Sequence, residues 1–352
     1  MSRRLLILGL ESSCDETAAA VVDAGARVRS NVIASQDDLH AEFGGVVPEI
    51  ASRAHVERLT PVVRRALVDA GVVLTDLDAI AVGHRPGLIG SLLVGVAAAK
   101  ALAWSLDIPL LGVDHVHAHL YAGALDRDDP PAFPALGLVV SGGHTAIYHL
   151  DSWLVITRLG STLDDAVGEA YDKAAAILGL PYPGGPRLDT LAQGGDDRAH
   201  DFPVSRLGPD SLDFSYSGIK TALLYAVRGT PVRTAGATRF PRDHTHLTDH
   251  DKADLAASFQ RAAIDAIFLK LRRALERTED CRSLLVGGGV SANSRLRREL
   301  PALAEAYGLD LRLPALRHCM DNAAMIAGLA HHRLDAGAVD DLSLQAMPTT
   351  AR

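Results

Sequence analysis

One pattern is written twice in this chain, and it limits the fold more than any other feature. Leu5–Leu10 is a continuous apolar run, followed by the polar ESSCDET and a second apolar run at Ala18–Val22. The pattern returns as Ala135–Val140, SGGHT and Ala146–Leu150. Short apolar runs on either side of a polar turn read as paired strands. Two such hairpins, starting 130 residues apart at Leu5 and Ala135, predict a duplicated architecture whose halves face each other. A chain of 352 residues exceeds one typical domain, which also favours two lobes.

Helical patterns lie between and after the hairpins. Val47–Asp69 has apolar positions at helical spacing, and Leu88–Trp104 is nearly all apolar and is expected to be buried. Asp164–Leu178 is amphipathic and stops at Gly179, and Asp251–Arg277 is a long helix. Alternating β and α segments make the class α/β. The expected division is residues 1–115 for the first lobe and 116–352 for the second, with part of the C-terminal helix returning to the first. Gly229–His250 has no periodicity and reads as an irregular loop.

Composition excludes more than it assigns. A net charge of −8 and 5% aromatics do not describe a surface built for nucleic acid, so any such contact must come from a local patch or a partner. Basic residues cluster at Arg53, Arg58, Arg64 and Arg65, at Arg228, Arg233, Arg239 and Arg242, and at Lys270, Arg272, Arg273 and Arg277. Cys14, Cys281 and Cys319 have neither CxxC spacing nor an even count, which fits reduced thiols in a cytoplasmic protein. The apolar stretch near the N-terminus meets Glu11 too soon for a signal peptide, and Pro86–Trp104 falls short of a membrane span.

The sequence VDHVHAHL places His115 and His119 four residues apart. On a helix both imidazoles share one face, the arrangement needed to hold a divalent metal. His117 falls on another face, and Asp114 is placed to cap the helix. Spacing does not identify a third ligand. The position after His115 is Val116, so the general base of an HExxH protease is missing. The SGGHT turn and GGGVSAN at Gly287–Asn293 offer backbone amides that an anion can approach closely. Neither turn fits a Walker P-loop or a clear GxGxxG fingerprint.

Several longer segments occur in order: LGLESSCDET at the start, HAEFGGVVPEIASRAH, VDHVHAHL, VVSGGHT, GEAYDKAAAILGLPYPGGP, DFSYSGIKTA and CMDNAAMIA. Together they resemble the universal tRNA N(6)-adenosine threonylcarbamoyltransferase family, most closely its bacterial branch, over nearly the whole chain. The resemblance implies an actin/Hsp70/sugar-kinase-like fold with two lobes around a nucleotide cleft. It also implies one divalent metal, iron(II) or zinc, held by His115, His119 and Asp321. Substrate contacts are carried over to Val139, Val140, Ser141, Gly142, Gly143, Asp172, Gly185, Asp189 and Asn293, and Glu11 takes the place of an acidic residue near the reaction centre.

The implied reaction moves a threonylcarbamoyl group from threonylcarbamoyl-adenylate to adenosine 37 of tRNAs that read codons beginning with A. The implied partners are tRNA, a paralogous dimerisation protein and a small ATPase, with no membrane. A small-molecule kinase on the same fold and a non-catalytic nucleotide-binding scaffold are the alternatives. The chain departs from the family at His84 and Arg85, where a small residue and glycine usually precede Pro-Gly. It departs again at Met320, in place of a threonine, and in the length of Gly229–His250.

Overall fold

The computed structural model describes residues 5–234, 237–278 and 280–349, without the side chains of 233–238. The Arg233 side chain of one basic cluster therefore lies outside the described residues, as does part of the 229–250 segment.

The first hairpin is β1 (Leu6–Glu11) and β2 (Glu16–Asp23), paired antiparallel from Leu6↔Asp23 to Glu11↔Ala18. A third antiparallel strand, β3 (Arg27–Ser35), follows, then α1 (Asp37–Ala41) and α2 (Pro48–Ala70). Next come β4 (Ala79–Arg85), α3 (Ile89–Leu106), β5 (Leu110–Asp114) and α4 (His115–Tyr121), with β4 parallel to β1 and β5 parallel to β4. The second hairpin is β6 (Ala135–Val140) and β7 (Thr145–Ser152), extended by β8 (Val155–Ser161). After α5 (Val167–Ile177), α6 (Gly184–Ala192) and α7 (Ser217–Arg228) come a short hairpin of β9 (Val232–Thr234) and β10 (Ala237–Arg239) and the long α8 (Asp249–Leu275). The chain then forms β11 (Ser283–Gly287), α9 (Ser294–Ala306), β12 (Asp310–Arg312) and α10 (Ala323–Asp335).

The strand orders are β3-β2-β1-β4-β5 and β8-β7-β6-β11-β12. Three antiparallel strands followed by two parallel ones occur in each sheet, so the duplication is one of topology and not of hairpins alone.

Alternation along the strands builds the layers, since successive side chains point to opposite faces. Leu8, Leu10, Ala19 and Val21 join α2 and α3 in one core. Ile7, Ala18, Ala20 and Val22 face the other way and meet α4 and α10, together with Val139, Ala146 and Tyr148 of the second sheet. The far face of that sheet, with Leu136, Leu138, Val140 and Ile147, is covered by α5 to α9. The layers run helix, sheet, helix, sheet, helix, with α4 and α10 in the middle. The C-terminal tail also returns to the first sheet, where Gly112 N donates to Asp340 Oδ2 and Met347 N to the carbonyl of His84.

Two expectations need correction. The helix α3 is only half-buried: Leu92, Val96, Ala99 and Ala103 face the sheet, while Leu93 is 54% and Trp104 75% exposed. A helix laid on one face of a sheet can bury only one side, whatever its composition. The 229–250 segment is not wholly irregular, because it contains the β9–β10 hairpin and runs into a capping box. Thr248 Oγ1 accepts from Asp251 N and Asp251 Oδ2 accepts from Thr248 N, so α8 starts at Asp249.

Candidate functional site

Both sheets end their central strands at the same place, and the candidate residues collect there. Asp114 closes β5 and caps α4, its Oδ1 accepting from Val116 N at 3.0 Å and His117 N at 3.3 Å. The cap starts the helix at His115, which puts His119 one turn later with ring centroids 4.7 Å apart. Asp321 enters from the turn before α10. Its Oδ1 lies 3.5 Å from His115 Nε2 and 3.1 Å from His119 Nε2.

Glu11, at the end of β1, is fully buried with both oxygens engaged. Oε1 accepts from Ser13 N at 2.6 Å, and Oε2 lies 3.0 Å from His115 Nδ1. Ser13 Oγ is 3.2 Å from the same nitrogen. With Nδ1 taken, His115 is left with Nε2 turned towards Asp321, the tautomer and orientation that carboxylates impose on metal-ligating histidines.

The electrostatics follow from this crowding. Burial opposes a charge on His115, but Glu11 and Asp321 outweigh it and hold its pKa up to about 10. Burial would raise Asp321, yet His115 and His119 hold it well below the usual carboxylate range. Burial, with His115 and His119 nearby, pulls His144 of the SGGHT turn down to about 4, so that ring is neutral.

These residues fit a metal. The fully buried His119 has no hydrogen-bond partner on Nδ1, and its Nε2 meets only the Asp321 carboxylate, at 3.1 Å, an expensive arrangement for a ring that holds nothing more. Two imidazoles and one carboxylate place ligand atoms within 4.8 Å of one another. That mixed nitrogen–oxygen set suits zinc or iron(II). A second cluster, Asp15, Glu16 and Asp37, offers oxygens only. Burial and the nearby charges of Asp321 and Asp15 raise Glu16, and burial with Asp15 nearby raises Asp37.

The glycine turns border the triad. Ser141 N donates to the carbonyl of His144, and Ser141 Oγ accepts from His144 N, closing the first turn. No heavy atom lies within 4 Å of where a Cβ on Gly142 or Gly143 would sit, so the turn has open space on that side of both residues. Gly288 has φ +94°, and a Cβ there would fall 2.7 Å from the Val140 carbonyl carbon, so this turn needs glycine twice over. Met320, the CMDN departure, lies against Gly289.

The remaining candidates fall into three groups. Val139 and Val140 end β6 and are fully buried, leaving only their backbone for a ligand. Asp172 is occupied within the fold: its Oδ1 accepts from Gly184 N and Gly185 N at 2.9 Å, fixing the start of α6. Asp189 and Asn293 are brought together at 3.0 Å, and Asp189 also accepts from Ser294 N and Oγ. Asn293 caps α9 through Leu296 N and reaches Gln260. The sequence reading missed Ser13, although it stands two residues from Glu11. It also passed over His144, whose ring is 6.4 Å from that of His115.

Of the basic clusters, Lys270 is fully buried and donates to the carbonyls of Arg206 and Ser211, and Arg273 donates to the same loop. That cluster is reduced to Arg272 and Arg277.

Comparison with known proteins places this arrangement. Two solved structures share the fold at low identity. T. kodakarensis HypF has a TM-score of 0.60 and 16% identity over 95% of this chain and 48% of that one. The activator of the 2-hydroxyisocaproyl-CoA dehydratase from Clostridium difficile, with bound ADPNP, has a TM-score of 0.51 and 12% identity over 95% and 97%. They show an actin/Hsp70/sugar-kinase-like architecture. The tRNA N6-adenosine threonylcarbamoyltransferase of Pelobacter propionicus is 49% identical over 345 residues, 98% of this chain and 97% of that protein. The enzyme of the same name from Symbiobacterium thermophilum is 50% identical over 344 residues, 97% of this chain and 96% of that one. The family description "tRNA N6-adenosine threonylcarbamoyltransferase" matches residues 27–328. This chain therefore belongs to the tRNA N6-adenosine threonylcarbamoyltransferase family.

Proposed function

We propose that the protein transfers the threonylcarbamoyl group of threonylcarbamoyl-adenylate to the N6 amine of adenosine 37 in tRNAs that read codons beginning with A. The observation that carries this reading is the triad of the buried His115 and His119 with the partly exposed Asp321, beside two glycine turns. In a family of this activity, such a site joins a metal to a place for an adenylate.

His115, His119 and Asp321 would hold one divalent ion, iron(II) or zinc, which when bound supplies a Lewis acid for the developing charge on the carbamoyl group. Glu11 acts through His115: it fixes the tautomer and keeps Nε2 pointed at Asp321. The backbone amides of Gly142 and Gly143, with those of the 287–289 turn, receive the adenylate phosphate. The linked pair Asp189 and Asn293 provides polar groups for its nucleoside. The N6–carbon bond forms as the anhydride carbon–oxygen bond breaks; the electron pair of the broken bond leaves with the AMP phosphate, and the proton shed by the N6 amine passes to that phosphate or to water. An exocyclic adenine amine is a weak nucleophile, so rate comes from orientation more than from a strong base. We place the enzyme in the cytoplasm, where its tRNA substrate is.

The paralogous partner finds a surface on the outer face of α2 and α3. Val56, Ile89, Leu93 and Trp104 form an exposed apolar stripe there, more than a surface helix needs for its own packing. Leu93→Glu should abolish co-elution with the partner protein while leaving metal content unchanged. Co-elution at wild-type level would remove this face from consideration.

The direct test is transfer of labelled threonine to an unmodified tRNA in the presence of the adenylate synthase, ATP, bicarbonate and the partner proteins. Label should appear on adenosine 37 only with this chain, and His115→Ala/His119→Ala should abolish both metal binding and transfer. Full transfer by the metal-free double variant would overturn the mechanism.

A further inference from the structure

Arg85 ends β4 and Asp114 ends the adjoining β5, and the parallel register sets them opposite each other beyond an irregularity at Gly83. Arg85 Nε lies 3.3 Å from Asp114 Oδ2, an ion-pair contact without hydrogen-bond geometry. The other carboxylate oxygen is the one that receives Val116 N and His117 N at the start of α4. Asp114 is therefore held from both sides, by a guanidinium behind and by helix amides in front. Among the described residues, Arg85 is the one cation within ion-pair distance of it.

This matters because α4 has seven residues, of which the first is His115 and the fifth His119. A helix of two turns has little stability of its own, so its direction depends on its cap and its packing. The Asp114 side chain is only 4% exposed, and a buried carboxylate deprived of its counter-charge turns towards water. That movement would release the first-turn amides and turn the two imidazoles away from Asp321.

We propose that Arg85 is a positioning residue for the metal centre, a charge clamp that holds Asp114 on the first turn of α4 and so aims His115 and His119. The proposal rests on the metal reading given above. Arg85 touches neither the triad nor any reacting group, and its contribution passes wholly through Asp114.

The test uses the full chain with cobalt(II) and zinc(II) as probes. Dissociation constants are measured by competition with a chromogenic chelator, and the visible absorption of the cobalt form reports ligand geometry. Arg85→Met should weaken metal binding about tenfold and shift the cobalt band, the usual size of an outer-shell effect. Arg85→Lys, which keeps a cation against Oδ2, should recover most of the affinity. Asp114→Asn keeps an oxygen for the amides and removes the charge, so in that background Arg85→Met should cost nothing more.

Three results would overturn the proposal. They are an Arg85→Met protein with wild-type affinity and spectrum, an Arg85→Lys protein as weak as Arg85→Met, or an equal loss from Arg85→Met in both backgrounds. If His115→Ala/His119→Ala leaves cobalt binding intact, the metal reading itself fails and takes the clamp with it.

Discussion

The point where the second sheet touches the metal helix can be tested by adding one methyl group. A Cβ on Gly287 would stand 2.5 Å from the His119 carbonyl carbon, 3.1 Å from the His119 Cβ and closer still to the His119 oxygen. Carbon atoms settle at about 3.5 Å or more, so β11 and α4 would have to part by about 1 Å. The obstacle is backbone and cannot be relieved by a rotamer change. The cost should therefore fall near the top of the overpacking range, about 3 kcal/mol. The displacement also exceeds the roughly 0.2 Å tolerance of a metal–ligand distance several-fold. Gly287→Ala should lower the unfolding midpoint in urea and weaken zinc binding by at least about tenfold, the two effects appearing together. Gly142→Ala is the control, because a Cβ there meets nothing within 4 Å. It should fold like the wild type, within about 0.5 kcal/mol. A Gly287→Ala protein with unchanged stability and zinc affinity would show that α4 and β11 do not hold each other as described.

The other predictions follow from single contacts. Asp189→Ala removes the acceptor that joins Asn293 and Ser294 to α6, and should weaken binding of the adenylate about tenfold while zinc affinity is unchanged; a loss of both would mean that the second lobe as a whole has slackened. Burial, with Arg273 beside it, pulls Lys270 down to about 8 from 10.5. Between those values the unfolded chain holds a proton that the folded one has released, so wild-type stability should rise from pH 8 to 10.5 relative to Lys270→Met, and parallel melting curves across that window would refute it. Replacing Arg272 and Arg277 together by Glu should lower tRNA affinity and flatten its salt dependence by about one unit of slope per lost phosphate contact; an unchanged slope clears this patch.

What the sequence discloses about this fold depends on whether a feature is local. The hairpins are legible because β1, β2, β6 and β7 are central and buried on both faces, which writes continuous apolar runs into the chain. The strands β3, β8 and β12 are edge strands with mixed polar composition, and they become strands only by pairing with β2, β7 and β11. Spacing exposed His115 and His119 because a helix brings residues four apart onto one face. No spacing rule connects them to Asp321, 202 residues beyond His119, and only the family resemblance supplied it. For Arg85 the sequence showed that something unusual stood there. Its partner Asp114 came into view only with the parallel register of β4 and β5.

The duplication explains why the site is where it is. In each copy the fifth strand runs out towards a helix of the middle layer: β5 into α4, and β12 through a turn into α10. The helix from the first copy lies against β6 and β11 of the second sheet, and the helix from the second copy lies on β1 and β2 of the first. Each half thus lends the other the element that covers its inner face. His115 and His119 sit on the first of these helices, and Asp321 on the turn that starts the second. The triad can form only when both exchanged elements occupy the layer between the sheets. The glycine turns meet it there because β6 and β11 stand at the centre of their sheet, as β1 and β4 do in the first. A metal at this junction would join the two copies where each already depends on the other, with His115 and His119 supplied by the helix of the first and Asp321 by the turn before the helix of the second.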